Sequence, residues 1–335
     1  MNRFNSKRTI LLIVFLVCLV AVLVILFTYS GLFDKVSYLF GGDNGKEDEE
    51  YFNARHDVVI DGEKYRPRDK VKSYLLIGID KEGKVEKSYS YQNFDQSDFL
   101  VMLVVDDNDK SYSLIQINRD TMADVRTLDI WGNDAGTERM QIALSHTYGD
   151  AMRKSCANTA LAVSKLFFGL PVDYYASIRF DAVPILNDYV GGVTLTVPVD
   201  LTEIDESYTE GAVITLEGEE SLRFVRSRQG VGNQTNIERM VRQRTYMEAY
   251  MEALLKKGYD DESFLMTYTD VSPYLVTNFG ADSASKLFDK LETYTYKGMR
   301  QIEGESGYDK EDHACFYADE KSLKEIAIDL LCDKK

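Results

Sequence analysis

The chain has 335 residues, 44% of them apolar and 28% charged, a composition that builds a folded core and excludes a disordered or collagen-like polypeptide. Its 39 lysines and arginines are outnumbered by 55 aspartates and glutamates, a formal charge of −16. No broad basic surface is available for a phosphate backbone, so nucleic acid is not an expected partner.

Arg3, Lys7 and Arg8 precede the first acid, and between them and that acid runs Ile10 to Phe27, 18 residues without a charge. That is about the minimum length of a bilayer-spanning helix. An acidic stretch follows it (Asp43, Glu47, Asp48, Glu49, Glu50), so the positive-inside rule puts the N-terminus in the cytoplasm. The expected organisation is a cytoplasmic tail over 1–9, a transmembrane helix over 10–29, an extracytoplasmic linker over 30–69 and one domain over 70–335. This describes a single-pass protein of the cell membrane. A cleaved signal peptide is the rival reading, with Thr28 and Ser30 at a plausible cleavage distance, although its apolar core usually has only about 7 to 15 residues.

Beyond the linker, Ser73–Ile79, Phe99–Val105 and Tyr112–Ile117 are short apolar runs read as buried strands. The turn cluster DDNDKS joins the last two into a hairpin. Asp150–Phe168 carries apolar and small residues at helical spacing and stops at Gly169 and Pro171. A strand (Tyr174–Phe180), a helix (Asp181–Tyr189), a Gly191-Gly192 turn and another strand (Val193–Val197) follow. Helices are predicted from Glu217 to about Arg226, from Asn236 to about Leu255 and over Ser322–Leu331, the last opened by the capping-box pair Ser322 and Glu325. Strands alternating with helices predict an α/β protein, an α/β/α sandwich with a central mixed sheet. Outside the apolar run, Cys156, Cys315 and Cys332 permit one disulfide without selecting a pair, and no Cys/His spacing suits zinc.

Three polar clusters sit at the ends of apolar segments. Gln96-Ser97-Asp98 precedes one strand of the predicted hairpin and Asn118-Arg119-Asp120 follows the other, so the open end of the hairpin brings Asp98 to Arg119 and Asp120. A solvated ion pair of little energetic consequence is the plain reading of such residues. The third cluster is Arg223, Arg226, Arg228, Arg239, Arg242 and Arg244, six arginines and no lysine in 22 residues. Arginine's planar fork grips phosphate oxygens in pairs, which favours oriented anion recognition; pairing with the surplus acids is the competing reading. Arg226 and Arg228, two apart, belong where a helix gives way to a loop, whereas Arg239, Arg242 and Gln243 share a helical face.

The series LLIGID (75–80), QSDFLVMLVV (96–105), LIQINRDTM (114–122), GLPVDYYASIRFDAVPILNDYVGGVTLTVP (169–198), LEGEESLRFVRSR (216–228) and NIERMVRQR (236–244) resembles the LytR-CpsA-Psr family over about half of the chain, in the family's order. The resemblance implies a membrane-anchored extracytoplasmic phosphotransferase that moves an anionic glycopolymer from an undecaprenyl pyrophosphate carrier to peptidoglycan in a Gram-positive wall. It implies Mg²⁺ as cofactor, held by Asp98 with Asp80 as a second carboxylate, and Arg119, Arg226 and Arg228 as catalytic arginines facing the pyrophosphate. Arg239, Arg242, Gln243, Asp120, Gln96 and Gln141 are the implied substrate-binding residues. A non-catalytic binder of the lipid-linked wall polymer is the alternative. Gln96 and Gln141 stand where the family usually has Arg and Lys, Ala143 where it has Asn, Asn236 where it often has Asp, and Gln116 and Asn118 replace its Ser and Pro. His146 and Arg139 are the nearby candidates to supply the missing charge. Gln96→Arg is expected to preserve activity and raise donor affinity, unless another group already occupies that space. Leu161, Leu166, Phe167, Phe168, Val183 and Leu186 are candidates for the wall of a polyprenyl tunnel, with ordinary core packing as the plain reading.

Overall fold

A computed structural model describes residues 54–227, 236–258 and 260–335; the predicted membrane span and Arg228 lie outside them. Among the described residues no helix is long and apolar enough to cross a membrane. The chain runs β1 (Val58–Ile60), β2 (Glu63–Pro67), β3 (Val71–Ile79), β4 (Ser97–Asp106), β5 (Ser111–Ile117), β6 (Met122–Leu128), β7 (Asp134–Gln141), a 3₁₀ turn (Ile142–Thr147) and α1 (Arg153–Leu166). It continues through β8 (Tyr174–Arg179), α2 (Ala182–Tyr189), β9 (Val193–Thr196), β10 (Val213–Leu216), α3 (Glu219–Arg226), α4 (Asn236–Lys257), α5 (Asp261–Val271) and β11 (Leu275–Thr277). The last elements are α6 (Ala281–Thr293), β12 (Thr295–Gln301), β13 (Gly304–Tyr308), β14 (Ala314–Ala318), α7 (Glu320–Leu330) and β15 (Cys332–Lys334).

β3, β4 and β5 are buried along nearly their whole length because both of their faces are covered. They form the centre of a six-stranded sheet of order β11-β8-β3-β4-β5-β12. β4 runs antiparallel to its neighbours β3 and β5, while β8 runs parallel to β3 and β12 parallel to β5, so the sheet is mixed. Alternation along the strands sends Leu75, Ile77, Leu100, Met102 and Ile115 to one face, where they meet Ala157, Ala160 and Val163 of α1 and Leu323, Ile326 and Ala327 of α7. Tyr74, Val101, Leu103, Val105 and Leu114 point the other way, against Met247, Met251 and Leu255 of α4 and Leu287 and Leu291 of α6. Helices thus cover both faces of the sheet. Leu75 is fully buried, and truncating such a residue to alanine costs about 2–5 kcal/mol. A smaller core of Val193, Leu195, Leu216, Phe224 and Tyr246 joins the β9–β10 hairpin to α3 and α4. Gly191 and Gly192, at φ of 80° and 91°, make the left-handed turn from α2 into β9.

Several expectations are corrected. The linker expected over 30–69 becomes ordered sheet by Val58: β1 and β2 pair with each other and β2 with β15, burying Val58, Ile60 and Tyr65. The C-terminal helix is capped not by Ser322 but by Asp319, whose carboxylate accepts from the Lys321 N–H at 3.1 Å; Ser322 Oγ instead accepts from the Glu303 N–H at 3.0 Å. Cys156, Cys315 and Cys332 are buried and free, so the permitted disulfide does not form. The region after 256 contributes β11 and β12, the two outer strands of the central sheet.

Candidate functional site

β3, β5 and β8 end at the same edge of the sheet, where β4 begins, and the polar clusters read from the sequence meet there. In the β4–β5 hairpin Leu100 pairs with Ile117, so Asp98 and Arg119 extend from adjacent strands and form an ion pair. Asp98 is 8% exposed. Its other oxygen, Oδ2, accepts from Arg239 Nη1 at 3.1 Å, delivered by the first turn of α4, so one buried carboxylate bridges two guanidiniums from different elements. Arg119 also donates Nη2 to Gln96 Oε1 at 2.7 Å and lies 3.4 Å, through Nε, from Asp120 Oδ1.

Beside this bridge Arg226, the last residue of α3, lies 3.0 Å from Glu82 Oε1 and 3.4 Å from Asp80 Oδ1, with its guanidinium 4.5 Å from the centre of the Phe180 ring. These ionic partners are partly open to solvent, so their attraction is screened and small. Burial, then the neighbouring Asp98, raise the Asp80 carboxyl above the ordinary carboxylate range, against the opposing pull of Arg226 and Arg239. Asp80 and Asp98 are therefore electrostatic neighbours. Among the described residues no three or more acidic, His or Cys side chains converge as a metal cage. A two-carboxylate set still fits Mg²⁺, which is commonly held by one or two carboxylates together with substrate phosphates.

Not every expected residue faces this centre. Arg242 shares a helical face with Arg239, but its guanidinium turns to the end of α3, donating to the Phe224 carbonyl at 2.8 Å and to the Ser227 carbonyl. Burial and the nearby Arg239 lower its pKa to about 10. Gln243 similarly reaches the Val225 carbonyl at 3.4 Å. Both hold the end of α3 that presents Arg226. Gln141 donates to the Ala314 carbonyl at 2.7 Å, tying β7 to β14. Arg139 pairs with Asp124 on the exposed face of the β6–β7 hairpin, and His146 is buried with Nδ1 2.8 Å from the Asp95 carbonyl oxygen, its pKa lowered to about 4 chiefly by burial. Neither replaces a family cation. The family-divergent Gln116 and Asn118 instead reach α4, through the Met240 carbonyl (2.9 Å) and Asn236 (2.7 Å).

Sequence reasoning did not single out Glu82 and Phe180, although both lie within three residues of a strand end at this edge, which was their signal. It also missed a buried support beneath Gln96: Asp95, 3.1 Å from Arg179 Nη2 and 2.7 Å from Lys81 Nζ. Of the residues considered for a tunnel, Leu161 and Phe167 are core and none lines the cavity of about 760 Å³ beside α4. Its walls include Leu114, Leu195, Met251, Leu255 and the stacked Tyr112 and Tyr296.

The fold and the site define a mixed α/β protein with guanidiniums and carboxylates gathered at its strand ends, suited to a charged, oriented ligand. The LytR_cpsA_psr family model matches residues 39–330, and the chain belongs to that family. A relative from Enterococcus faecalis (strain ATCC 700802 / V583), the polyisoprenyl-teichoic acid–peptidoglycan teichoic acid transferase TagU, is 24% identical over 261 residues, 77% of this chain and 78% of its own. Among solved structures, B. subtilis TagV aligns with a TM-score of 0.59 at 21% identity, covering 77% of this chain and 95% of its own. TagT (YwtF) with bound octaprenyl pyrophosphate lipid aligns with a TM-score of 0.55 at 21% identity, covering 77% and 88%. These structural likenesses show the shared fold.

Proposed function

We propose that this protein is a phosphotransferase that takes an anionic glycopolymer from a polyprenyl pyrophosphate carrier and joins it to peptidoglycan. The observation that carries the proposal is the buried bridge Arg119–Asp98–Arg239 with Arg226 and Asp80 alongside it. Its support outside the chain is the activity named for the Enterococcus faecalis relative and the lipid named for the TagT structure. Held in place by their carboxylates, Arg119, Arg226 and Arg239 would offer their remaining N–H donors to the diphosphate oxygens, as guanidinium forks do. They would orient the phosphorus for attack by an acceptor hydroxyl and neutralise the polyprenyl phosphate as it leaves.

In the described part of the site these three guanidiniums contact four carboxylates, Asp80, Glu82, Asp98 and Asp120, leaving no surplus positive charge for a diphosphate. A Mg²⁺ ion on Asp98 and Asp80 would supply that charge when bound. The cavity along α4 and β5 offers apolar walls for part of an isoprenoid tail. Arg228, outside the described residues, is proposed as a further arginine of the site. The uncharged run Ile10–Phe27 and the charges flanking it support a membrane-anchored, extracytoplasmic placement, on the side where lipid-linked wall precursors meet peptidoglycan.

The test is transfer from a lipid-linked glycan donor by the full chain in detergent, with Mg²⁺ or with chelator, and with Arg119→Lys and Arg226→Lys. Lysine keeps the charge and loses the fork, so both variants should stay folded and lose most of the transfer. Unchanged activity in both would return the arginines to the surface ion-pair reading. Donor binding without transfer by the wild type would identify a non-catalytic binder.

A further inference from the structure

Three family-divergent positions, Gln116, Asn118 and Asn236, form one connected buried structure between β5 and α4. The backbone N–H of Asp120 donates to Asn118 Oδ1 at 2.9 Å, which fixes that amide with its oxygen toward the site. The same oxygen accepts from Asn236 Nδ2 at 2.7 Å, so the Asn236 amide is oriented in turn and its own Oδ1 is left to accept from Arg239 Nη2 at 2.8 Å. Arg239 Nη1 then reaches Asp98 Oδ2 at 3.1 Å. Asn118, Asn236 and Arg239 are 5%, 7% and 4% exposed, so water does not freely substitute for a broken member. Gln116 Nε2, donating to the Met240 carbonyl at 2.9 Å, pins the next turn of α4 to the same strand.

We infer that Asn118 and Asn236 are a matched pair of positioning residues that aim Arg239 at Asp98, and that this chain depends on an amide at both positions. An aspartate at 236 would still accept from Arg239, but it has no proton for Asn118 Oδ1, and two oxygens would face each other in a buried place. The consequence for donor binding rests on the pyrophosphate reading of the site given above; the aiming of Arg239 does not.

The test is a double-mutant cycle on the full chain in detergent, reading affinity for octaprenyl pyrophosphate and, separately, the melting temperature. Asn118→Ala and Asn236→Ala should each weaken binding about tenfold, the equivalent of one hydrogen bond to a charged group, and the double variant should lose little more than either alone. Asn236→Asp, nearly the same shape, should show the same weakening while remaining folded, and it carries the test if an alanine variant fails to fold. Affinities equal to wild type with only a lowered melting temperature, or losses that multiply in the double variant, would overturn the inference. Absence of binding by the wild type would instead refute the pyrophosphate reading, and with it the pair's role in donor binding.

Discussion

Replacing Gln96 by arginine separates what the family pattern suggests from what this site can accommodate. By pattern, the substitution restores a cation next to a diphosphate and should strengthen donor binding. In the structure Gln96 Oε1 already accepts from Arg119 Nη2 at 2.7 Å. Removing that acceptor forfeits a hydrogen bond to a charged group, about 1.5–3 kcal/mol. The incoming guanidinium then lies near Arg119, and two like charges about 4 Å apart repel by about 4 kcal/mol at an effective dielectric of 20, before Asp98 and Asp120 offset part of it. Arg119 would be pushed from its position against Asp98. Gln96→Arg should therefore weaken donor binding at least about tenfold, the lower bound set by the lost hydrogen bond alone, while the fold persists. The assay is an octaprenyl pyrophosphate binding isotherm with a thermal melt of the same sample. Donor affinity equal to or above wild type in a folded Gln96→Arg protein would refute the reasoning and show that the family pattern transfers residue by residue.

Arg242→Ala would strand the buried Phe224 carbonyl and the part-buried Ser227 carbonyl, at up to about 1–3 kcal/mol for each group left unsatisfied, so urea denaturation should shift by about 2–6 kcal/mol. A shift under about 0.5 kcal/mol, typical of a surface change, would place Arg242 elsewhere. His146, held neutral with its pKa lowered from 6.5 to about 4, makes no pH-dependent contribution above 6.5 and destabilises the fold progressively as pH falls toward 4. The full effect is about 3 kcal/mol, and His146→Asn should flatten the stability profile across that window. Because the Asp80 carboxyl sits above its ordinary 3.8, its proton stabilises the ligand-free fold at low pH, a contribution lost as pH rises through the elevated value. Proton and Mg²⁺ compete for the same oxygens, so Mg²⁺ affinity measured by calorimetry should rise with pH through that range and lose the slope in Asp80→Asn.

The hairpin of β4 and β5 was legible because two apolar runs flanked a turn cluster, and its geometry alone places Asp98 against Arg119. α1 was legible from helical spacing closed by Gly169 and Pro171. β2, β7 and β12 were not, for a physical reason. β2 buries only Tyr65 and Pro67, β7 is exposed along most of its length, and β12 is an edge strand, so none carries the apolar alternation that marks a strand. β15 pairs with β2 across almost the whole described chain, a contact that no local pattern encodes. At the site, residue types were readable and directions were not. Arg239 and Arg242 share a face at helical spacing, yet one guanidinium meets Asp98 and the other caps α3, a choice made by which element lies opposite. At Gln96 the family pattern reads a missing cation, whereas the structure uses its side chain as an acceptor for Arg119.

The most direct test of the account is the structure of the full chain with octaprenyl pyrophosphate and Mg²⁺. The account predicts diphosphate oxygens within hydrogen-bond distance of Arg119, Arg226 and Arg239, with the metal between them and the carboxylates of Asp98 and Asp80. An ordered lipid whose diphosphate lies beyond hydrogen-bond reach of these three arginines would contradict it.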